Sequence, residues 1–407
     1  MTEVGDPPRD SAAKTVALEA SARALAGQQR DLERTTGSPS RLVDAGPLAL
    51  ALECAQRHLA SLSTDDATLP RAAEWLLDNY YLIRRVARQV EEDLPRGFIL
   101  HLPQLATGPA RGCLRIDLVA RALITETRVE LDAAALHRFV DAYQEVTPLT
   151  IAELWAFPTM LRTGVLHHLV HYLDELHIPI RAEGEAREPT PEDATRVVLD
   201  PSVGVECSIR ALRLLDVVDW KAFVASTSRV EAILRTDPAQ VYPRMDFATR
   251  DAYRRVVETL AWDTRRAEHG VADLAIALAT ESTGDERHRH VGHYLVGGGR
   301  ALLEQRLGYR PVGRARVRRA LTRWPTTAYL LPVALWTVVP LVGLGWVLAR
   351  AAVHPGLIAT AVGLAAIPLS VVPSPSSSRS SRACSRHARS RSSTSRRGCP
   401  RRSGRWS

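Results

Sequence analysis

Cysteine is scarce in this chain: Cys54, Cys113, Cys207, Cys384 and Cys399 are scattered over 407 residues without one Cys-x-x-Cys pair. That spacing implies neither a zinc site nor a disulfide framework and suits a reducing compartment. The opening residues 1–40 hold no apolar segment, which excludes a cleavable secretory signal. No alternating apolar pattern rivals the helical ones, so a β architecture is not expected. Local catalytic signatures are missing too. There is no His-Glu-x-x-His zinc motif, no Gly-x-Ser-x-Gly elbow and no Walker lysine, and no cysteine has an evident base partner. Acid is absent from the end of the chain: residues 373–407 carry ten arginines and no Asp or Glu, so the formal charge of +8 belongs to that tail and the remainder sums to −2. The basic balance therefore says nothing about the body of the protein.

What is present is helical periodicity on a chain that is 45% apolar, enough to bury a core. Residues 1–46 read as a mobile leader, with order beginning near Pro47. Trp75, Asn79, Leu82, Val86 and Val90 recur at gaps of three and four, with Leu76 and Ile83 broadening the stripe. Thr150 and Glu153 form a capping box ahead of Ile151, Leu154, Trp155, Leu161, Val165 and Leu169, and Pro158 is expected to kink that helix. Another helix starts after Asp219, places Trp220, Phe223, Val224, Val230 and Leu234 on one side, and stops at Asp237-Pro238. Residues 324–349 and 355–372 are then two uncharged runs. The first is about 39 Å long as a helix, against roughly 30 Å of hydrocarbon. The arginines just before it, Arg318, Arg319 and Arg323, together with Trp324 and Tyr329, fit a membrane interface and place the helical body in the cytoplasm.

The resulting expectation is a mainly α protein. It has helical regions at 47–182 and 201–310 with a linker at 183–200, a basic juxtamembrane segment at 311–323, a two-helix transmembrane hairpin at 324–349 and 355–372, and a disordered Ser/Arg-rich tail at 373–407. The tail's Ser/Arg/Pro/Cys composition is also what a GC-rich gene yields when read out of frame. His167, His168 and His171 form a His-His-x-x-His run with no nearby carboxylate ligand in support, and His288, His290 and His293 form a second group. Both are read as partly exposed helical faces. Gly297, Gly298 and Gly299 lack the strand and the lysine of a phosphate cradle and read as a break between helices.

Six phrases, in this order, resemble the amino-terminal region of bacterial cyclic β-1,2-glucan synthases: EWLLDNYYLIRR (74–85), EDLPRGF (92–98), RFVDAYQEVTPLTIAELWAFPTMLR (138–162), SIRALRLLDVVDWKAF (208–223), DPAQVYPRMDFATRDAYRRVVE (237–258) and HVGHYLVGGGR (290–300). The resemblance implies a very large, multi-pass inner-membrane glycosyltransferase. It would take glucose from UDP-glucose with Mg or Mn, grow a β-1,2-glucan attached to itself and close it into a ring, while a carboxy-terminal phosphorylase-like domain trims the chain. It also implies that the matched region precedes the transferase domain, whose acidic metal and nucleotide-sugar motifs and Gln-x-x-Arg-Trp motif are not found here. No catalytic, cofactor or metal residue is therefore carried over onto this chain.

Within YPRMDFATRDAYRR (242–255), Asp246 or Thr249 can cap a helix, and Asp246, Arg250, Asp251 and Arg254 can form ion pairs between neighbouring helices. A direct glucan contact by Trp155, Tyr242 or Tyr253 is the second reading. The expected function is a non-catalytic, membrane-anchoring portion of a glucan synthase, cut short by a frameshift or pseudogene event, with the bilayer and the remaining synthase domains as partners and no nucleic acid. The alternative is a stand-alone membrane-anchored scaffold whose basic tail binds anionic lipid or nucleic acid.

Overall fold

The computed structural model describes residues 7–35, 45–63, 70–180, 199–282, 286–309, 325–351, 354–357 and 360. The chain runs through α1 (Pro7–Gln28), β1 (Leu32–Arg34), α2 (Ala45–Ser63), α3 (Arg71–Asp93), α4 (Arg96–Ile99), β2 (Pro103–Leu105), α5 (Arg115–Glu126), α6 (Ala133–Val146) and α7 (Ile151–Glu175). It continues with α8 (Pro201–Val217), α9 (Trp220–Thr227), α10 (Arg229–Leu234), α11 (Phe247–Thr264), α12 (Glu268–Glu281), α13 (Val291–Leu295), α14 (Arg300–Leu307) and α15 (Pro325–Arg350). Met1–Tyr309 form one unit and Arg310–Ser407 another. Among the described residues the strands form one antiparallel pair, Leu32 opposite Leu105 and Arg34 opposite Pro103.

The first unit is organised around α7. From Ile151 to Leu166 every residue of this helix but Trp155 is buried, the pattern of a helix enclosed on all sides. The capping box anticipated from the sequence starts it. The Glu153 amide donates to Thr150 Oγ1 at 3.2 Å, and the Thr150 amide donates back to the Glu153 carboxylate at 2.8 Å. The helix continues through Pro158. Close crossings rest on two glycines. A Cβ on Gly164 would stand 2.6 Å from Ile124 Cδ1 of α5, and one on Gly204 of α8 would stand 2.6 Å from the Tyr172 ring of α7. No larger residue fits at either crossing without moving its neighbour.

Two cores result. The larger gathers the apolar faces of α1 to α3 and α5 to α9, and includes Leu76, Ile83, Phe139, Phe157, Leu169, Leu212 and Phe223. The second joins Ile151 of α7 to Val230, Leu234, Tyr242, Tyr253, Val257, Val271, Leu295 and Leu303. Trp155 packs against both. The regrouping falls near Ser228, where the helix expected to run on from Asp219 breaks into α9 and α10. Ser228 caps α10 by accepting the Glu231 amide at 3.2 Å, a competition between side chain and backbone that favours a helix start.

The amino terminus departs from the mobile leader expected there. Helix α1 lies on α6, with Leu18, Ala22 and Ala26 buried. Its apolar stripe is mostly alanine, which buries little area per residue but allows close approach. Gln29, just beyond it, accepts a hydrogen bond from the buried Tyr143 hydroxyl at 2.7 Å.

The transmembrane hairpin expected at 324–349 and 355–372 is corrected. Residues Pro325–Arg350 are helical, yet among the described residues no helix is long and apolar enough to cross a membrane. Freedom from charge is not continuous apolarity. Thr326, Thr327, Pro332, Thr337, Pro340, Gly343 and Gly345 dilute this run. Arg318, Arg319, Arg323 and Trp324 lie outside the described residues, and Tyr329 falls on α15. Most of 355–372, all of the tail 373–407 and nearly all of the expected linker 183–200 also lie outside them.

Candidate functional site

The family-like stretch 242–255 begins as a 3-10 turn, Tyr242–Arg244, and continues as α11, with Asp246 at the N-cap position. The Thr249 hydroxyl holds the Asp246 carboxyl below the ordinary carboxylate range, helped by the amides of Thr249 and Ala248. Inside the second core the same stretch converges on one acid that sequence reading missed. Glu231 of α10 is fully buried. One of its carboxylate oxygens accepts from Arg250 at 2.5 Å and Arg235 at 3.1 Å, and the other from the Tyr242 hydroxyl at 2.7 Å and Arg254 at 3.0 Å. Arg254, itself fully buried, also reaches Asp251 at 3.4 Å and lies 4.9 Å from the centre of the Phe247 ring. Trp155 meets that ring edge-on at 6.2 Å.

A second buried acid closes the same core. Asp237 accepts from the Val291 amide at 2.9 Å and from the Val241 and Tyr242 amides at 3.1 Å each, while His290 Nδ1 stands 2.9 Å from its carboxylate. Burial by itself would raise its pKa. The His290 ring and the Val291 and Tyr242 amides outweigh that and hold it below the ordinary carboxylate value. Asp237 is thus a clamp joining the loop before α11 to the start of α13, not the cap of a following helix.

Trp155, Tyr242, Asp246, Arg250, Asp251, Tyr253 and Arg254 are therefore neighbours in one region. Tyr242 and Arg254 are wholly buried and Tyr253 nearly so, and Tyr242 spends its hydroxyl on Glu231. Burial, then the bond to Glu231, raises the Tyr242 phenol above its ordinary value, which removes it as an acid or a nucleophile near neutral pH. Charges desolvated this fully fix the arrangement of α10, α11 and α13 relative to one another. Glu231 could have been suspected from Ser228-x-x-Glu231, a capping-box spacing. Arg235, four positions on, is within helical reach, but Arg250 and Arg254, 19 and 23 positions on, carry no local signal.

The start of α7 holds the companion cluster. Arg115 of α5 is buried against Glu153 through two hydrogen bonds, one of them 2.7 Å, and also donates to the Pro148 carbonyl at 3.1 Å. Glu268 of α12 accepts the Ile151 amide at 2.8 Å, so both carboxylates face amides at a helix N-terminus, where negative charge is favoured. Burial nevertheless pushes the Glu268 carboxyl from 4.5 up to about 8, with Glu258 and Glu153 adding to the rise. Because the folded value lies above the unfolded one, the folded state binds the extra proton between pH 4.5 and about 8, and stability falls as pH rises through that window. Glu268→Gln keeps an oxygen for Ile151 and should remove this dependence. Its melting temperature relative to the parent should climb between pH 5 and 8, read by thermal melts along a buffer series.

The histidine groups do not assemble as ligands. His171 lies 3.6 Å from Glu175 along its own helix, His288 meets His293 edge-on at 4.6 Å, and His290 belongs to Asp237. Among the described residues no group of three or more His, Cys, Asp or Glu is placed to hold a metal. The glycines after α13 make room for a side chain: a Cβ on Gly299 would stand 2.5 Å from the His293 ring.

No family model matches the chain. The chain is 26% identical over 350 residues to the cyclic beta-(1,2)-glucan synthase NdvB of Rhizobium meliloti (strain 1021), a match that takes in 68% of this chain and 12% of that protein. A distant family relationship to that synthase is thereby shown. The chain spans about an eighth of the length of the relative it matches.

Proposed function

We propose that the chain serves as a helical, non-catalytic region of a cyclic β-1,2-glucan synthase system, holding a fixed shape for parts of the machinery that transfer glucose. The observation that carries this reading is the 26% identity over 350 residues to a glucan synthase. The buried clusters support it from the physical side. Glu153, Arg250 and Arg254, all within the family-like phrases, are committed to pairing inside the protein.

Purified full-length chain given radiolabelled UDP-glucose with Mg or Mn should form no glucan above background. A synthase of this family lacking the corresponding region should regain β-1,2-glucan production when this chain is supplied alongside it. Robust synthesis by the chain alone contradicts the non-catalytic role, and failure to restore the deleted synthase contradicts the family role.

A further inference from the structure

The two cores sort the helices of the first unit into two lobes. Helices α1 to α9 build the first and α10 to α14 the second, with Ile151 and Trp155 of α7 reaching across. The chain passes between the lobes at Ser228, an extended residue (φ −68°, ψ 118°) that ends α9 and caps α10. Each side of it is anchored to its own lobe. The Thr227 carbonyl accepts from Gln144 of α6 at 2.9 Å, and Glu231 ties α10 to Arg250 and Arg254 of α11. Firm anchors on both sides of one extended residue are the construction of a hinge, where a change of φ and ψ is absorbed at the junction.

Two clasps close the seam between the lobes. In the first, Glu268 at the start of α12 accepts the Ile151 amide at the start of α7 at 2.8 Å. In the second, the exposed Arg34 sets its guanidinium carbon 4.0 Å from the centre of the Trp262 ring and donates to the Trp262 carbonyl, while the His101 ring stands 4.9 Å from the same indole. The surroundings of the first clasp make it sensitive to protons. Glu268 faces Glu258 of α11, Glu153 of α7 and Arg115 of α5, and Arg115 is already paired with Glu153. Glu258 has His101 and Arg255 as cationic neighbours and Asp251 as a further acid. An ionised Glu268 thus adds a carboxylate to a group whose guanidinium is taken, and the repulsion acts across the seam. A neutral Glu268 keeps the hydrogen bond to Ile151 without it. We propose that this unit is a proton-gated hinge: the second lobe swings about Ser228, and the proton on Glu268 holds it closed against α7.

Burial pushes both carboxyls up, Glu268 from 4.5 to about 8. The closed form therefore binds a proton that the open form releases. Its advantage is complete below pH 4.5 and is lost as pH rises to about 8. Between those limits each pH unit should favour opening by up to about tenfold.

Nitroxides on Ala134→Cys of α6 and Thr280→Cys of α12, both exposed positions, report the lobe separation by pulsed electron paramagnetic resonance. The full chain is used, with its native cysteines replaced by serine. A short distance should dominate at pH 5, and a longer population should grow by about tenfold or more by pH 8, with the far-ultraviolet circular dichroism unchanged. Glu268→Gln should keep the short distance at both pH values. Arg34→Ala, which frees Trp262, should enlarge the longer population at both. One unchanging distance in the parent and in Arg34→Ala, or a pH response that Glu268→Gln retains, overturns the inference. So does a loss of helical signal that accompanies the lengthening, since that is melting and not a hinge. None of these outcomes touches the proposed function, because the hinge belongs to the fold alone.

Discussion

Glu231→Ala should destabilise the protein by about 3–5 kcal/mol, the range for breaking a buried charge pair by removing one partner. The loss is large because one carboxylate serves four donors. Arg254 is fully buried, Arg250 is 16% exposed, and Tyr242 donates its hydroxyl from a fully buried ring. Deleting Glu231 strands Arg254 and Tyr242 where water cannot reach them and leaves Arg250 only partly hydrated. Against a typical total of about 5–15 kcal/mol, the variant should sit close to unfolding at room temperature. Urea denaturation followed by far-ultraviolet circular dichroism measures this. A midpoint equal to the parent's would mean that the arginines find water or other partners without cost.

Arg115→Met carries the second large effect. Arg115 and Glu153 are 1% and 0% exposed, so the variant leaves a carboxylate buried beside the Pro148 carbonyl. The expected cost is again about 3–5 kcal/mol. It should come out toward the lower end of that range, because Glu153 keeps the Thr150 amide and hydroxyl as donors at 2.8 and 2.9 Å. Two controls give the result its meaning. Glu153→Leu should cost more than Arg115→Met, since it also dissolves the capping box, and the double variant should cost less than the sum of the two. Additive losses would show that Arg115 and Glu153 act independently.

Much of this arrangement was legible in the sequence where the interaction is local. The Thr150–Glu153 capping box spans three residues, and the Trp75 to Val90 stripe repeats within one helix, so spacing alone exposes both. The α1 helix escaped because Ala22 and Ala26 are weak hydrophobic signals, although they are wholly buried. The Glu231 and Asp237 clusters escaped for a different reason. His290 is 53 positions from Asp237, and no periodicity connects residues that tertiary packing brings together. Tyr242 shows how composition misleads: an aromatic among charges looks like a ligand-facing rim, yet this one is sealed in the core with its hydroxyl on Glu231.

The central claim is that residues 242–255 are framework, joined to α10 through Glu231. A double-mutant cycle of Glu231→Gln and Arg250→Met, read by equilibrium urea unfolding, tests it most directly. Arg250 is suitable because it retains some exposure, so its own loss should be tolerated. The account predicts a coupling energy of about 1–3 kcal/mol. A coupling indistinguishable from zero, with both single variants as stable as the parent, would contradict it.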